Sequence, residues 1–311
     1  MTNVSIVSRT FAFIRLGRLQ FLAGGVLLHA LGVSMALYSG ATLDITALVW
    51  GQIAITATQL MTHYANDYFD LEADQANQTP TRWSGGSRVL VDGALPAQTA
   101  LVAALVLAAI ALGANSVLNI FVHPSLATFV LLAVSQCAAW FYSAPPLRLH
   151  SRGLGELMAA IVVAGLTPIT GYMLQRGQLD LLPVLAVTPL VALQFAMLLS
   201  IEFPDAEGDR QVGKGTLVVR LGMRHGIMLY TLAVCSAFVS LPLLVRAGLP
   251  GGVGLAVAAL LPVAVGLLWQ AVRGDWCNPL RWGSFAFHTV LLLMGATAAQ
   301  VLAFLLLIGL R

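Results

Sequence analysis

Apolar stretches of about 20 residues or more, each with at most one charged residue, recur along the whole of this 311-residue chain. Nine of them fall at roughly 19–39, 45–66, 97–115, 121–142, 155–175, 181–203, 225–245, 250–272 and 284–309. Each is long enough to cross about 30 Å of hydrocarbon as a helix. Backbone polar groups in lipid are satisfied only by helices or by closed barrels. Barrel strands are shorter and alternate in polarity. The runs therefore predict an all-α polytopic membrane protein with nine transmembrane helices around a central cavity. Length alone would allow two soluble domains. With 59% hydrophobic and 9% charged residues, one intramembrane domain over 1–311 is the economical reading. Inside the charge-free stretch 93–147, Asn115, Asn119 and His123-Pro124 mark the break between two spans.

In a membrane protein the placement of charge matters more than its sum. The N-terminal segment and the loops after the second, fourth, sixth and eighth spans hold 13 of the 16 basic residues. The other side holds only Arg176, Arg246 and Arg311. This asymmetry predicts a cytoplasmic N-terminus and a C-terminus outside, and miscounting by one span would scramble it. Arg9, Arg15 and Arg18 precede an apolar run too long for a signal peptide, so the first run is expected to be kept as a span. Cys137, Cys235 and Cys277 are scattered, with neither metal-ligand nor disulfide spacing.

About half of the 13 acids sit in two places. The first is Asn66-Asp67-Tyr68-Phe69-Asp70-Leu71-Glu72-Ala73-Asp74, and the second is Asp205-Ala206-Glu207-Gly208-Asp209. Both contain Asp-x-Glu-x-Asp, both end an even-numbered span, and both face the cytoplasm in the predicted topology. They suggest two similar halves, about 19–150 and 151–272, with a ninth helix added. Repeats of this kind often bind a ligand between the halves. Acids at a membrane edge are costly, and so are functional candidates.

Asn66, Asp70 and Asp74 lie at i, i+4 and i+8, so on a helix they share one face, as do Asp205 and Asp209. Glu72 and Glu207 should point elsewhere. Four carboxylates and an amide make an oxygen-rich site that suits Mg²⁺ shared with substrate phosphates. Clusters more than ~12 Å apart could not share it, since Mg²⁺–oxygen bonds are ~2 Å. The same loops carry cations. Arg82 precedes Ser84-Gly85-Gly86-Ser87-Arg88, whose glycines would let backbone N–H groups approach an anion. Arg210 and Lys214, the sole lysine, follow the second cluster, and Tyr142-Ser143-Ala144-Pro145-Pro146-Leu147-Arg148 ends the fourth span. A metal and basic groups opening onto an apolar cavity describe a receptor for a polyprenyl diphosphate. His63 reads as a helix-packing polar residue ahead of a base, and no strong general base is evident.

At this point the residues resemble the UbiA-type intramembrane prenyltransferase superfamily. The likeness rests on Asn66-Asp67-x-x-Asp70-x-x-x-Asp74, Tyr142-Ser143-x-Pro145-Pro146-Leu147-Arg148, Gly153-Leu154-Gly155-Glu156 and Asp205-x-x-x-Asp209-Arg210-x-x-Gly213-Lys214-x-Thr216-Leu217. It implies that Asn66, Asp70, Asp74, Asp205 and Asp209 bind Mg²⁺–diphosphate. It also implies that Arg88, Lys214, Tyr142 and Arg148 help hold or release the diphosphate, while Asp67 acts behind the ligands. Many relatives carry Lys at the Arg148 position, a compact charge in place of a planar fork. Asn66-Asp67-Tyr68-Phe69-Asp70 with Ser84-Gly85-Gly86-Ser87-Arg88-Val89-Leu90 is similar to the 1,4-dihydroxy-2-naphthoate polyprenyltransferase branch of menaquinone synthesis.

The expected activity is Mg²⁺-dependent prenyl transfer to an aromatic ring. Asp70, Asp205, Lys214, Arg148 and Tyr142 are the expected catalytic residues. Asn66, Arg82, Ser87, Arg88 and Arg210 join Tyr142, Arg148 and Lys214 in substrate binding. The expected partners are a polyprenyl diphosphate, an aromatic acceptor and the lipid bilayer, with no nucleic acid. The expected location is a bacterial inner membrane, with the active site facing the cytoplasm. The rival readings are transfer to 4-hydroxybenzoate, homogentisate or a non-aromatic acceptor, a cation-coupled transporter, and a non-catalytic scaffold. A transporter should carry its acids near the bilayer middle on broken helices, whereas these lie at the ends of spans.

Overall fold

The computed structural model describes residues 6–310, and every regular element among them is helical. Arg311, assigned above to the outer side, lies outside the described residues. Six segments are long and apolar enough to cross a membrane: Ser8–Tyr38, Ala97–Val122, Leu126–Ser143, Gly155–Arg176, Leu181–Glu202 and Trp282–Gly309. The number rises to eight if two pairs bent by 41° are each one span, Met223–Val239 with Leu241–Ala247 and Gly251–Ala258 with Leu261–Val272. Prolines account for the bends: Pro242 and Pro262 enter the first turn of the second helix of each pair, where a missing N–H is tolerated. The remaining predicted stretch, 45–66, lies in a 25-residue helix, Ile45–Phe69. Its length is sufficient, but Gln52, Thr56, Gln59, Thr62, His63 and Asn66 dilute its hydropathy, as expected of a helix with a polar side turned inward.

In chain order the helices are α1 (Ile6–Leu16), α2 (Leu22–Tyr38), α3 (Ile45–Phe69), α4 (Leu71–Ala76), α5 (Ala97–Val117), α6 (Leu126–Ser143), α7 (Gly155–Ala160), α8 (Thr167–Arg176), α9 (Leu181–Glu202) and α10 (Ala206–Gln211). They continue as α11 (Leu217–Leu221), α12 (Met223–Val239), α13 (Leu241–Ala247), α14 (Gly251–Ala258), α15 (Leu261–Val272) and α16 (Trp282–Gly309). The predicted break at His123-Pro124 is present. A π-type turn, Leu118–Val122, carries α5 through Asn119, and Ser125 then caps α6 by accepting from the Thr128 N–H at 3.3 Å. A second π-type turn, Ile161–Leu166, joins α7 to α8.

Lipid gives no hydrophobic drive for helices to meet, so close packing at small residues does that work. A Cβ on Gly32 would stand 2.0 Å from the Pro168 carbonyl oxygen, and one on Gly171 would stand 2.7 Å from that of His29. Backbones of α2 and α8 therefore touch. Tyr172, Tyr230, Phe203, Phe285 and Phe304 fill the interior, while Leu255, Val272 and Leu306 are exposed on the outside.

Two helices of this bundle position the acids. Asp44 caps α3 by accepting from the Ala47 N–H at 3.0 Å, and α3 ends at Phe69, with Asp70 as the junction to the six-residue α4. Likewise α9 ends at Glu202, and after a short link the six-residue α10 begins with Asp205 at its N-cap. α4 and α10 pack against each other. Gly208 makes the contact possible, since a Cβ there would sit 3.0 Å from the Asn77 backbone.

Candidate active site

One end of a cavity of about 430 Å³ is lined by Asn66, Asp70, Asp74, Asp205, Asp209 and Lys214. Tyr142, Glu202, His150 and Arg18 also reach it, and the remaining wall is mainly apolar, including Leu28, Ile55, Leu132 and Met294. The two acidic clusters are joined by a single ammonium group. Lys214 Nζ donates to Asp70 Oδ2 at 2.9 Å and lies 3.4 Å from Asp209 Oδ1, far inside the separation that would prevent a shared site. Asp70 also accepts from Asn66 Nδ2 at 2.7 Å and from His150 Nε2 at 2.6 Å. Asn77 Nδ2 donates to Asp205 Oδ1 at 2.6 Å, and the Gly85 N–H donates to Asp205 Oδ2 at 3.2 Å. The segment between α4 and α5 thus reaches across to hold the second cluster.

The electrostatics follow from crowding. Burial alone would raise Asp70, but Lys214 and His150 overcome it and hold this carboxyl well below its usual range. Burial pushes Asp74 up to about 8, against Arg18 and with help from the charges of Asp67 and Asp70. Burial and the charge of Asp209 push Asp205 up to about 7. Asp209 is also raised, mainly by burial, with Lys214 opposing. The lysine itself is held well above its ordinary value, because Asp70 and Asp209 outweigh its burial. There is more carboxylate than cation at this end of the cavity, which is the imbalance a divalent cation corrects. Among the described residues no three His, Cys, Asp or Glu side chains stand close enough to enclose an ion. The donor set still fits Mg²⁺, which takes one or two carboxylates and completes its shell with water and phosphate oxygens.

The glutamates shared by the two clusters are exposed, as the helical spacing predicted, and Glu207 pairs with Arg210 at 2.8 Å. Arg210 is therefore on the outer face and does not line the cavity. Arg148 is exposed at a left-handed position, φ 42°, and is likewise absent from the cavity wall. Arg82, Ser87 and Arg88 line a second, smaller cavity of about 230 Å³ that shares Arg18, Phe21 and Trp83 with the first. The donors of Ser84-Gly85-Gly86-Ser87-Arg88 hold the protein's own acceptors, two of them carboxylates. Besides the Gly85 bond, the Ser87 N–H and hydroxyl donate to Asp67, and Arg88 donates to the Asp74 carbonyl oxygen. Gly86 has φ 71°, and a Cβ there would lie 2.0 Å from Asp74 Oδ2, so the glycine makes room for that carboxylate. Asp67 faces away from the cavity and pairs with Arg18, in keeping with a place behind the ligands.

Sequence reasoning passed over His150, Arg18, Asn77 and Glu202. His150 is buried, stacks obliquely on Tyr142 at 5.3 Å and holds Asp70. Glu202 interacts with the buried Glu156, whose Oε1 accepts from the Leu217 N–H at 2.5 Å. Oε2 of each glutamate has no hydrogen-bond partner.

A model of the UbiA prenyltransferase family matches residues 26–292. Digeranylgeranylglyceryl phosphate synthase of Thermococcus gammatolerans is 28% identical over 260 residues, 83% of this chain and 85% of that protein. UbiA prenyltransferase domain-containing protein 1 of Xenopus tropicalis is 26% identical over 66% of this chain, and the match spans 58% of that protein's length. 1,4-Dihydroxy-2-naphthoate octaprenyltransferase of Bacillus subtilis is 24% identical over 58% of this chain and 57% of its own. In fold, a UbiA homologue from Aeropyrum pernix superposes with a TM-score of 0.67 at 19% identity, over 90% of this chain and 98% of that one. A UbiA homologue from Archaeoglobus fulgidus bound to GPP and Mg²⁺ superposes with a TM-score of 0.61 at 14% identity, over 93% and 99%.

Proposed function

The chain belongs to the UbiA prenyltransferase family and is a prenyltransferase, and from that premise we propose that it transfers a polyprenyl group from its diphosphate to an aromatic acceptor, 1,4-dihydroxy-2-naphthoate, in menaquinone biosynthesis. The observation that carries the reading is the meeting of Asp70 and Asp209 on Lys214 at the mouth of an apolar cavity. A diphosphate head and a prenyl tail need those two surroundings side by side. The named activity of the Bacillus relative and the ligands of the Archaeoglobus homologue support it.

Asn66, Asp70, Asp74, Asp205 and Asp209 would hold Mg²⁺. When bound, the ion supplies charge neutralisation for a diphosphate leaving group. Lys214, already at the carboxylates, adds a fixed positive charge where negative charge develops. Asn66 and His150 orient Asp70 by hydrogen bonds. Tyr142 and Thr216 shape the cavity wall near the head group. Arg82, Ser87 and Arg88 act from the adjoining smaller cavity, whereas Arg148 and Arg210, exposed in the loops outside, do not touch the head group. The apolar wall keeps water from an electron-poor allylic carbon.

The same reading places nine spans in the bilayer, with α3 as the second, and a cytoplasmic N-terminus. It treats 1–311 as one domain with α3–α4 and α9–α10 as matching parts of two halves. The location is a bacterial inner membrane, with the site facing the cytoplasm. A second acceptor class follows from the Thermococcus relative, whose named product is a glyceryl phosphate. A membrane assay with one radiolabelled prenyl diphosphate and several acceptors, with and without Mg²⁺, decides between them. Labelled prenyl-naphthoate formed only with Mg²⁺ is expected; label in a glyceryl ether, or none in any acceptor, would sink the reading.

A further inference from the structure

His63 stands on the inward side of α3 and lines the main cavity. Its Nδ1 lies 2.8 Å from the Gly17 carbonyl oxygen. A carbonyl oxygen only accepts, so Nδ1 carries the proton and Nε2 of the neutral ring carries the lone pair. Among the described residues Nε2 has no hydrogen-bond partner, and it is not sealed from the cavity.

The position along the helix matters as much as the tautomer. His63, Asn66 and Asp70 are at i, i+3 and i+7, so His63 and Asp70 point within about 20° of each other. His63 is about 4.5 Å deeper along the axis than Asn66 and about 10 Å deeper than Asp70. A diphosphate at the carboxylates would send its prenyl chain down the same cavity, whose wall includes His63. The neighbouring walls are aromatic. Phe21 meets His63 edge-on at 5.9 Å, Trp83 meets Phe21 edge-on at 5.9 Å, and all three line the cavity. Such a corner presents ring faces and edges to a flat ligand.

We propose that His63 is the base that takes the ring proton from an aromatic acceptor held against Phe21 and Trp83. The proposal rests on the prenyl-transfer reading above. The ring carbon forms a bond to the first prenyl carbon as the C–O bond breaks, and that electron pair leaves on the diphosphate. The attacked ring carbon then bears both the prenyl group and its hydrogen. Nε2 takes this hydrogen as a proton, and the C–H pair restores the aromatic ring. The imidazolium releases the proton to diphosphate or water. Glu202 also lines the cavity, but its carboxyl is turned on Glu156 and its unpartnered Oε2 is sealed from the cavity, whereas the His63 lone pair is accessible.

His63→Asn tests the assignment, because its amide can still donate to Gly17 but offers no lone pair at Nε2. Turnover should fall about 10²-fold, with binding of a non-hydrolysable prenyl diphosphate analogue unchanged. A ring-deuterated acceptor should then show a primary isotope effect that the unaltered enzyme lacks, since proton removal has become slow. Unaltered turnover overturns the proposal, as does a loss of turnover without an isotope effect. If the variant fails to bind the analogue, His63→Gln is measured in the same way; failure of both marks a structural residue and overturns it too. An isotope effect in Glu202→Gln but not at His63 would assign the proton to Glu202. Failure of the unaltered enzyme to prenylate any aromatic acceptor would instead refute the reading of function itself, and the proposal with it.

Discussion

Lys214 and Arg210 lie four residues apart, and the structure gives them opposite surroundings. Lys214 is largely buried between Asp70 and Asp209, while Arg210 is exposed and paired with Glu207. Exposed pairs contribute little, whereas removing one partner of a buried pair leaves an uncompensated charge. Lys214→Gln should therefore lower kcat/KM by about 10²-fold or more and also depress the melting temperature. Arg210→Gln should leave both close to those of the parent enzyme. Steady-state assays and thermal melts in detergent check the contrast, and equal losses would contradict it. The acids were legible in the sequence because helical spacing sorts them: Asn66, Asp70 and Asp74 turn inward, and Glu72 and Glu207 do not. Their partners were not legible in the same way. His150 holds Asp70 from 80 positions away, and Asn77 holds Asp205 from 128 away. A pattern confined to neighbouring residues has no access to such pairs.

At the scale of elements, the site depends on α4 meeting α10. Gly208 is buried in that contact, and a Cβ there would press on the backbone of Asn77, which cannot move aside as a side chain could. Gly208→Leu should separate the two acidic clusters and cost about 1–3 kcal/mol by overpacking. The expected readout is a raised KM for prenyl diphosphate together with a lowered melting temperature; a variant with wild-type KM would show that the helix contact is not what brings the clusters together. Helix positions were legible from the apolar runs, because a run of about 20 apolar residues has few other ways to satisfy its backbone in lipid. The interruptions were less so. Pro242 and Pro262 give the bends a local cause, but the π-type turns at Leu118–Val122 and Ile161–Leu166 have no residue type that announces them.

For the molecule as a whole, orientation is the open quantity that charge placement addresses. Cys277 is exposed on the connection between α15 and α16, the loop assigned to the cytoplasmic side. A membrane-impermeant thiol reagent should label it in inside-out vesicles and not in right-side-out ones, with Cys277→Ser as the control. Labelling from the outside would reverse the topology. The ammonium of Lys214 has a consequence at this scale as well. It is a counter-ion tethered to the chain, bound to one carboxylate from each acidic cluster, and so it ties the end of α3 to α10 independently of any metal. Chelation should therefore abolish Mg²⁺-dependent turnover while leaving the melting temperature of the solubilised protein nearly unchanged, and Lys214→Gln should remove that indifference. The residue proposed to stabilise a leaving group is thus also the clasp that joins the two acidic clusters when no substrate is there.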